Sequence, residues 1–311
     1  MSAPALPEAS AVSAAVLSAL QVIQNEQLEN GEMPAYLRTG PVLYSYVRLP
    51  ILSAYVHDLL AIFDPNARAF GNSAVAVFSS ANRTRVRKLA AEVRRAIRGF
   101  LAWSEDADGG FRQYGRGSQR AADLDTTSCS ALALADRPHL NPEPPARRAN
   151  RVLALSASAP PDAIVERANA LRCVLRLGGD TTPLTRSLAA ASGAPVTPST
   201  NYLLDGVAAF TLGRLHHEHV GVLDASLGRQ LSLGLAPPTT PLAAALYVSA
   251  QLDFGGDAAS VAPGYEPLWS FAASHQSWPF QEFFAPACGS PALTAAFAAS
   301  ALLRAHGATE Q

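Results

Sequence analysis

The chain has 311 residues, 49% of them hydrophobic and 16% charged, with 24 Lys and Arg against 25 Asp and Glu and a net charge of −1. That length and apolar content supply a core large enough for unaided folding, while the balanced charge, without a block of one sign, excludes an electrostatic footprint for nucleic acid. The three cysteines, Cys129, Cys173 and Cys288, are too widely spaced for a disulfide framework or a structural zinc site and read as free thiols of a reducing cytosol.

Residues 1–9 form a loose lead-in containing Pro4 and Pro7, without the basic n-region of a secretory signal. No later apolar run is long and uninterrupted enough to span a bilayer. The chain therefore reads as soluble and cytoplasmic, touching a membrane at most peripherally; its oligomeric state is not legible. Apolar residues recur at helical spacing over 10–27, 44–63, 83–103, 124–136, 162–177, 200–215, 222–234, 240–253 and 291–306, and alternating strands do not appear. The expectation is one all-α domain over 10–306 with a short tail, 307–311.

The helix at 44–63 is entered through Pro41-Val-Leu-Tyr-Ser-Tyr46. The next, at 83–103, carries Arg83, Arg85, Arg87, Lys88, Glu92, Arg94, Arg95 and Arg98, a polarity that belongs on an outer layer. After the turn Asp108-Gly-Gly-Phe111 comes Asp123-Leu-Asp-Thr-Thr127, leading into the small apolar run Ser128-Cys-Ser-Ala-Leu-Ala-Leu134. A helix of such residues belongs in an interior, where a carboxyl group is costly unless paired, hydrogen-bonded or protonated. That is the setting of a strong general acid. The bland alternative has Asp123 capping the helix and Asp125 in a solvated first turn.

Pro138, Pro142, Pro144, Pro145, Pro160 and Pro161 predict an extended connection over 136–161, either a lid or a surface linker. Small-residue helices then open again at Ser199-Thr-Asn-Tyr, Thr239-Thr-Pro-Leu and Ser290-Pro-Ala-Leu, with capping hydroxyls or a nearby proline. Inner apolar helices alternating with charged outer ones, no hairpin able to bury itself alone, predict a closed ring of helical hairpins: an α/α toroid resembling an α6-α6 barrel.

His216, His217 and His219, beside Arg214 and Glu218, read as a solvated helix end, since adjacent histidines diverge on a helix. His57 and His275 read as structural histidines or hydrogen-bond partners of the acid. Glu105, Asp106 and Asp108 read as a solvated turn and not as a magnesium-diphosphate site. With no P-loop or dinucleotide fingerprint, no cofactor and no metal are inferred.

The run Arg98-Gly-Phe-Leu-Ala-Trp-Ser-Glu-Asp-Ala-Asp-Gly-Gly-Phe111 resembles the repeat of squalene-hopene cyclases and related terpenoid cyclases, with Ser104 and Phe111 in place of the usual Gln and Trp. Leu20-Gln-Val-Ile-Gln-Asn-Glu-Gln-Leu-Glu-Asn-Gly-Glu32 and Gln276-Ser-Trp-Pro-Phe280 look like degenerate copies. Asp123-Leu-Asp-Thr-Thr127 is similar to the DxDTT variant of the class II terpene cyclase acid motif, usually DxDD, and the short chain resembles the single-domain members. This resemblance implies proton delivery by Asp125, with Asp123 positioning it or tuning its acidity, and class II cyclisation of an isoprenoid, including a prenylated aromatic (meroterpenoid) substrate. Thr126 and Thr127 are placed to donate hydroxyl hydrogen bonds, and the helix N-terminus to stabilise the conjugate base.

Protonating an alkene requires a carboxylic acid kept neutral in an apolar cavity, and steering the cation requires aromatic faces. Candidate walls are Tyr44, Tyr46, Tyr202, Phe210, Tyr247, Trp269, Trp278, Phe280, Phe283, Phe284 and Phe297; those chosen as substrate-binding are Trp278, Phe280, Tyr202, Tyr44, Trp269 and Tyr247. Two alternatives stand beside this reading. One is a prenyltransferase β-subunit-like protein, which requires a zinc set of Asp, Cys and His, although Cys288 has no obvious nearby His partner in sequence. The other is a noncatalytic toroid that binds a lipid or a partner protein.

Overall fold

A computed structural model describes residues 7–65, 75–135, 145–191, 201–274 and 277–309. The element order is α1 (Ala9–Glu26), β1 (Ala35–Arg38), β2 (Tyr44–Val47), α2 (Pro50–Leu59) running on into a 3₁₀ turn (Leu60–Phe63), α3 (Ser80–Ser104), α4 (Leu124–Ala135), α5 (Pro145–Ala157) and α6 (Ile164–Leu177). It continues with α7 (Thr182–Ala191), α8 (Gly206–Glu218), α9 (Ser226–Gly234), α10 (Pro241–Asp253), α11 (Ala258–Ser274), β3 (Glu282–Phe284), β4 (Cys288–Gly289) and α12 (Pro291–Thr309). The described chain is thus mostly helical, in keeping with the all-α expectation at that level, with a small antiparallel sheet added. None of its described helices is long and apolar enough to cross a membrane.

Local chemistry explains the starts. Thr240 accepts a hydrogen bond from the backbone of Ala243 and is followed by Pro241 at the first position of α10, while Ser290 accepts one from Ala292 at the head of α12. Hydroxyl caps satisfy N–H groups that the first turn leaves without partners, and proline has no N–H to lose there.

The helices sort into two kinds. Along α4, α10 and α12 nearly every residue is buried, and the side chains are largely Ala, Leu, Ser and Thr; α6 is as deeply buried from Ile164 to Val174 but carries Glu166, Arg167, Asn169 and Arg172 there. By contrast α3 buries Val86, Ala90, Val93, Ile97 and Leu101 in a one-sided stripe at helical spacing, and, against the expectation of an outer polar face, Arg94 and Arg98 with them, leaving Arg85, Lys88 and Arg95 exposed. The contacts follow the same division: α2 packs on α4, α4 on α6, α6 on α8, α8 on α10, α10 on α12, and α12 back on α2. Short, small side chains permit close approach on every side of α4, α10 and α12, while α6 packs with buried polar side chains that find partners on its neighbours.

The sheet has the order β2-β1-β4-β3, and Tyr202 bridges to Phe284 beyond β3. Its strands lead directly into α2 and α12, and residue 202 lies just before α8, so the sheet lies at the end where these helices begin.

Several expectations need correction. Residues 44–63 are not one helix: Tyr44–Val47 is an edge strand paired with β1, and the helix begins only at Pro50. The alternating aromatic and β-branched residues between Pro41 and Pro50 favour a strand, so the helix entry at Pro41 does not exist. The proline-rich connection contains α5, whose first residue is Pro145; proline ends a helix from within but opens one well. Residues 136–144 lie outside the described set, as do Ser199 and Thr200; α8 begins only at Gly206. α7 and α11 were not expected at all, the latter because Pro263 and Pro267 lie inside it.

Candidate active site

The turn preceding α4 is locked to the helix. Phe111 is fully buried; its N–H donates to the Thr127 hydroxyl at 3.0 Å, and that hydroxyl reaches back toward the Phe111 carbonyl at 3.3 Å. Asp123 caps α4, accepting from the Thr126 N–H at 2.8 Å. Burial raises its pKa and the hydrogen bonds from Thr126 oppose the rise. Thr126 and Thr127 therefore engage Asp123 and the Phe111 backbone. Capping holds for Asp123, but the solvated first turn does not hold for Asp125, which is only 4% exposed.

Asp125 closes a loop of hydrogen bonds. Asn169 of α6 donates through Nδ2 to Asp125 Oδ1 at 2.9 Å and to the Tyr55 hydroxyl of α2 at 3.1 Å. Tyr55, accepting there, is oriented to donate across 3.0 Å to Tyr202, and Tyr202 donates to Asp125 Oδ2. The Cys129 thiol, one turn along α4, lies 3.8 Å from Oδ1. One amide thus sets the direction of the whole loop, since both of its hydrogens are used and it leaves each hydroxyl one way to point.

Every partner in that loop is neutral, and this decides the electrostatics. Burial pushes the Asp125 carboxyl up, the Glu166 carboxylate nearby pushes it further, and the bonds from Tyr202 and Asn169 pull it partly back, leaving it raised to about 7. Desolvation without a cation favours the neutral acid. Such a group keeps its proton below about pH 7, where an ordinary carboxyl has lost it, and has two donors already aimed at the carboxylate that forms when it gives the proton away.

Two surroundings meet at this carboxyl. On one side lies an aromatic cluster: Tyr55 and Phe283 centroids are 5.4 Å apart, Tyr202 and Phe284 5.4 Å, Phe283 and Phe297 5.3 Å, and Phe210 and Phe297 5.1 Å. On the other is a cavity of about 230 Å³ bordered by Asp123, Leu124, Asp125, Leu155, Glu166 and Asn201. Asn201 donates to Glu166 Oε1 at 2.7 Å.

Of the aromatics chosen from sequence, only Tyr202 is at the acid. Trp278 is buried against Phe271, with centroids 5.3 Å apart, and Trp269 packs on the main core from α11. Tyr247 faces α11, close to Gly264. Tyr44 is 47% exposed on its strand and meets Phe280 at 4.6 Å; Tyr46 donates to Glu32 at 2.6 Å. The central rings instead include Phe210, Phe283, Phe284 and Phe297 from the wider candidate set. Tyr55, Asn169, Glu166 and Asn201 were missed. No local signal marked Asn169, whose i−3 and i+3 neighbours on α6 are themselves polar, Glu166 and Arg172.

Other polar expectations also change. His57 is buried beside Arg98 Nη1 at 3.1 Å, its pKa lowered by burial and by Arg94 and Arg98, so it pairs with Arg98 and not with the acid; His275 lies outside the described residues. Arg214 and Glu218 are not at a solvated end: Arg172 and Arg214 pair with Asp58 and Glu218 in a largely buried network. The acidic turn is not simply solvated, because Glu105, Asp106 and Asp108 pair with Arg148, Arg112 and Arg151. The three cysteines are buried free thiols.

Among the described residues no group of three His, Cys, Asp or Glu side chains converges as a metal site, so the Asp, Cys and His set of the prenyltransferase alternative does not assemble there. Comparison of the chain with protein-family models and with curated proteins yields no match.

Proposed function

We propose that this chain is a class II, protonation-initiated isoprenoid cyclase built as an α/α toroid, with Asp125 as the general acid. The observation that carries the reading is the buried Asp125 carboxyl, held neutral to about pH 7 and fixed by Asn169 and Tyr202 against an aromatic cluster. The toroid is supported by the sequential contacts of α2, α4, α6, α8, α10 and α12, closing on α2.

In the proposed cycle Asp125 gives its proton to a terminal alkene or epoxide of the isoprenoid. Asn169 and Tyr202 hold the resulting carboxylate, and the π faces of the central rings stabilise the migrating cation without capturing it. Ring closure ends by proton loss, giving an isomer, or by capture of water, giving a hydrate; either way a proton returns to the carboxylate. An isoprenoid joined to an aromatic or other head group is the preferred substrate class. A peripheral membrane contact is supported by Val42 and Leu43, 81% and 65% exposed beside the β2 edge strand.

The test is incubation of wild type and Asp125→Asn with prenylated aromatics, polyprenols, terminal epoxides and prenyl diphosphates, with mass spectrometry for isomeric or hydrated products. Cyclised product from wild type and none from the folded variant is expected. Equal activity would remove Asp125 as the acid. Among the described residues no aromatic ring lines the cavity beside Asp125, which favours one second reading, a toroid that binds a lipid without reaction; saturable binding of these compounds with no product from either protein would select it.

A further inference from the structure

We infer that the β1–β2 hairpin is an interfacial anchor for an anionic phospholipid bilayer, its tip entering the headgroup region and one face of the hairpin lying along the surface. This deepens the peripheral contact named above by giving it a lipid class and an orientation, and it does not rest on the cyclisation chemistry.

The tip supplies the apolar part. Val42, Leu43 and Tyr44 are the one run of consecutive large apolar side chains exposed among the described residues. Single exposed apolar residues need no explanation, whereas a contiguous group marks a contact surface. The loop that carries them is built to hold them out. Thr39 N–H donates to the Leu43 carbonyl at 2.9 Å, the Thr39 hydroxyl donates to the same oxygen at 3.3 Å, and Arg38 Nε donates to the Gly40 carbonyl at 3.3 Å. These bonds close the turn below Val42 and Leu43 and leave both side chains at its apex.

Behind the tip the hairpin changes character in the order a bilayer does. Arg38 stands opposite Tyr44 and Tyr36 opposite Tyr46. Residues two apart in a strand share a face, so Arg38, Tyr44, Tyr46 and, just past the strand, Arg48 lie on one side. At the far end the Arg48 guanidinium sits 5.3 Å from the centroid of the Trp103 ring, and Arg116 Nη1 donates to the Trp103 carbonyl at 3.4 Å. Tyr44, Tyr46 and Trp103 are each about half exposed. Such rings are at home where acyl chains meet headgroups, with an apolar body on one side and a polar tip on the other, and arginines reach from there to phosphate.

Charge selects the lipid. The carboxylates beside this face are already engaged: Glu32 is buried and accepts from Tyr46 and Arg48, and Glu282 pairs with Arg38. Arg116 and Arg120, from one turn, are exposed and donate to the Trp103 carbonyl and the Gln113 side chain instead of to carboxylates. The face is left cationic, which favours anionic headgroups. Size argues against a protein partner. Two apolar side chains and two half-exposed tyrosines fall well short of the about 800 Å² per partner of a stable interface, while a bilayer asks for no complementary shape.

The experiment mixes the full chain with vesicles of phosphatidylcholine alone and of an equal mixture with phosphatidylglycerol, at low and high salt, and measures binding by flotation. Binding to the mixed vesicles is expected, about tenfold or more tighter than to the neutral ones and weakened by salt. Val42→Ser combined with Leu43→Ser should weaken it about tenfold or more, with unchanged circular dichroism because both side chains stand in solvent. Arg116→Gln combined with Arg120→Gln should bring mixed-vesicle binding toward the neutral level by roughly fivefold per charge. In Leu43→Trp the emission of the added indole should move to the blue and be quenched by brominated lipid. Asp125→Asn should bind as wild type does, so loss of cyclisation and loss of anchoring are separate failures. No binding to mixed vesicles, equal affinity for both compositions, undiminished binding of the double Ser variant, or an unquenched Leu43→Trp would each overturn the assignment. A dimer in the absence of vesicles that the double Ser variant dissociates would overturn it too, and give this face to a second copy of the chain.

Discussion

Asp125, 4% exposed, and Asp58, with 22% of its side chain exposed, both lie among α2, α4, α6 and α8, yet their acidities move in opposite directions. Burial raises both, as it does any carboxyl group. At Asp58 the Arg172 and Arg214 guanidiniums, 3.0 and 3.4 Å away, overturn that and hold the pKa far below the usual range. At Asp125 the hydrogen-bond partners are an amide, a phenol and a thiol, and a second carboxylate stands nearby, so the rise survives to about 7. The lesson is that depth of burial does not make a general acid. The charge of the partners does, and this chain holds one carboxylate of lowered pKa and one of raised pKa using the same α2 and α6.

The largest expected effect breaks the structural side of that comparison. Arg172→Met leaves Asp58 and Glu218 with Arg214 alone, and should cost roughly 3–5 kcal/mol of stability by denaturant unfolding at neutral pH. Asp58 has a lowered folded pKa, so its share is present in full above its unfolded value of 3.8 and is lost as pH falls from there through the much lower folded value. The deficit of Arg172→Met should therefore shrink in acid; a deficit under about 1 kcal/mol at pH 7 would show that the pairing is not what keeps Asp58 charged.

On the acid side the sign reverses. The folded pKa of Asp125 lies above its unfolded value of 3.8, so its contribution to stability is full below pH 4 and falls away as pH rises through 7. Asp125→Asn has no such proton to lose, and should gain on wild type between pH 4 and 8 by roughly 2–4 kcal/mol. Parallel melting curves across that range would contradict the raised pKa. Under the proposed chemistry, wild-type turnover should also fall about tenfold per pH unit above pH 7.

Smaller effects sharpen the role of the loop. Tyr202→Phe and Asn169→Leu each remove a donor that favours the carboxylate, so the alkaline limb of the pH–rate profile should move upward by about 0.5–1 unit while the maximal rate falls roughly tenfold. A drop in rate with an unmoved limb would assign these residues to packing. Least of all, Arg38→Ala removes an exposed ion pair with Glu282 and should change stability by no more than about 0.5 kcal/mol.

Much of the helical frame was legible because small apolar residues at helical spacing say how much of a helix is buried. The starts of α10 and α12, and the apolar stripe of α3, followed from caps and periodicity; the burial of Arg94 and Arg98 on α3 did not. The hairpin of β1 and β2 was not legible, being only a few residues long and paired to strands near the other end of the chain. The helix α5 was hidden by Pro145, which punctuates a sequence equally well as the end of one element or the start of another.

For the candidate site, the sequence by itself determined that two aspartates stand at the head of a buried helix, because Asp, Thr and Ser cap and the residues after them have no polar surface to show. What Asp125 would touch was decided only by tertiary structure. Tyr55, Asn169 and Tyr202 come from three other parts of the chain, and periodicity reports that a face is covered but not by what. Whether the cover is a guanidinium or a phenol is what separates Asp58 from Asp125, and that choice belongs to the packing of helices distant in sequence.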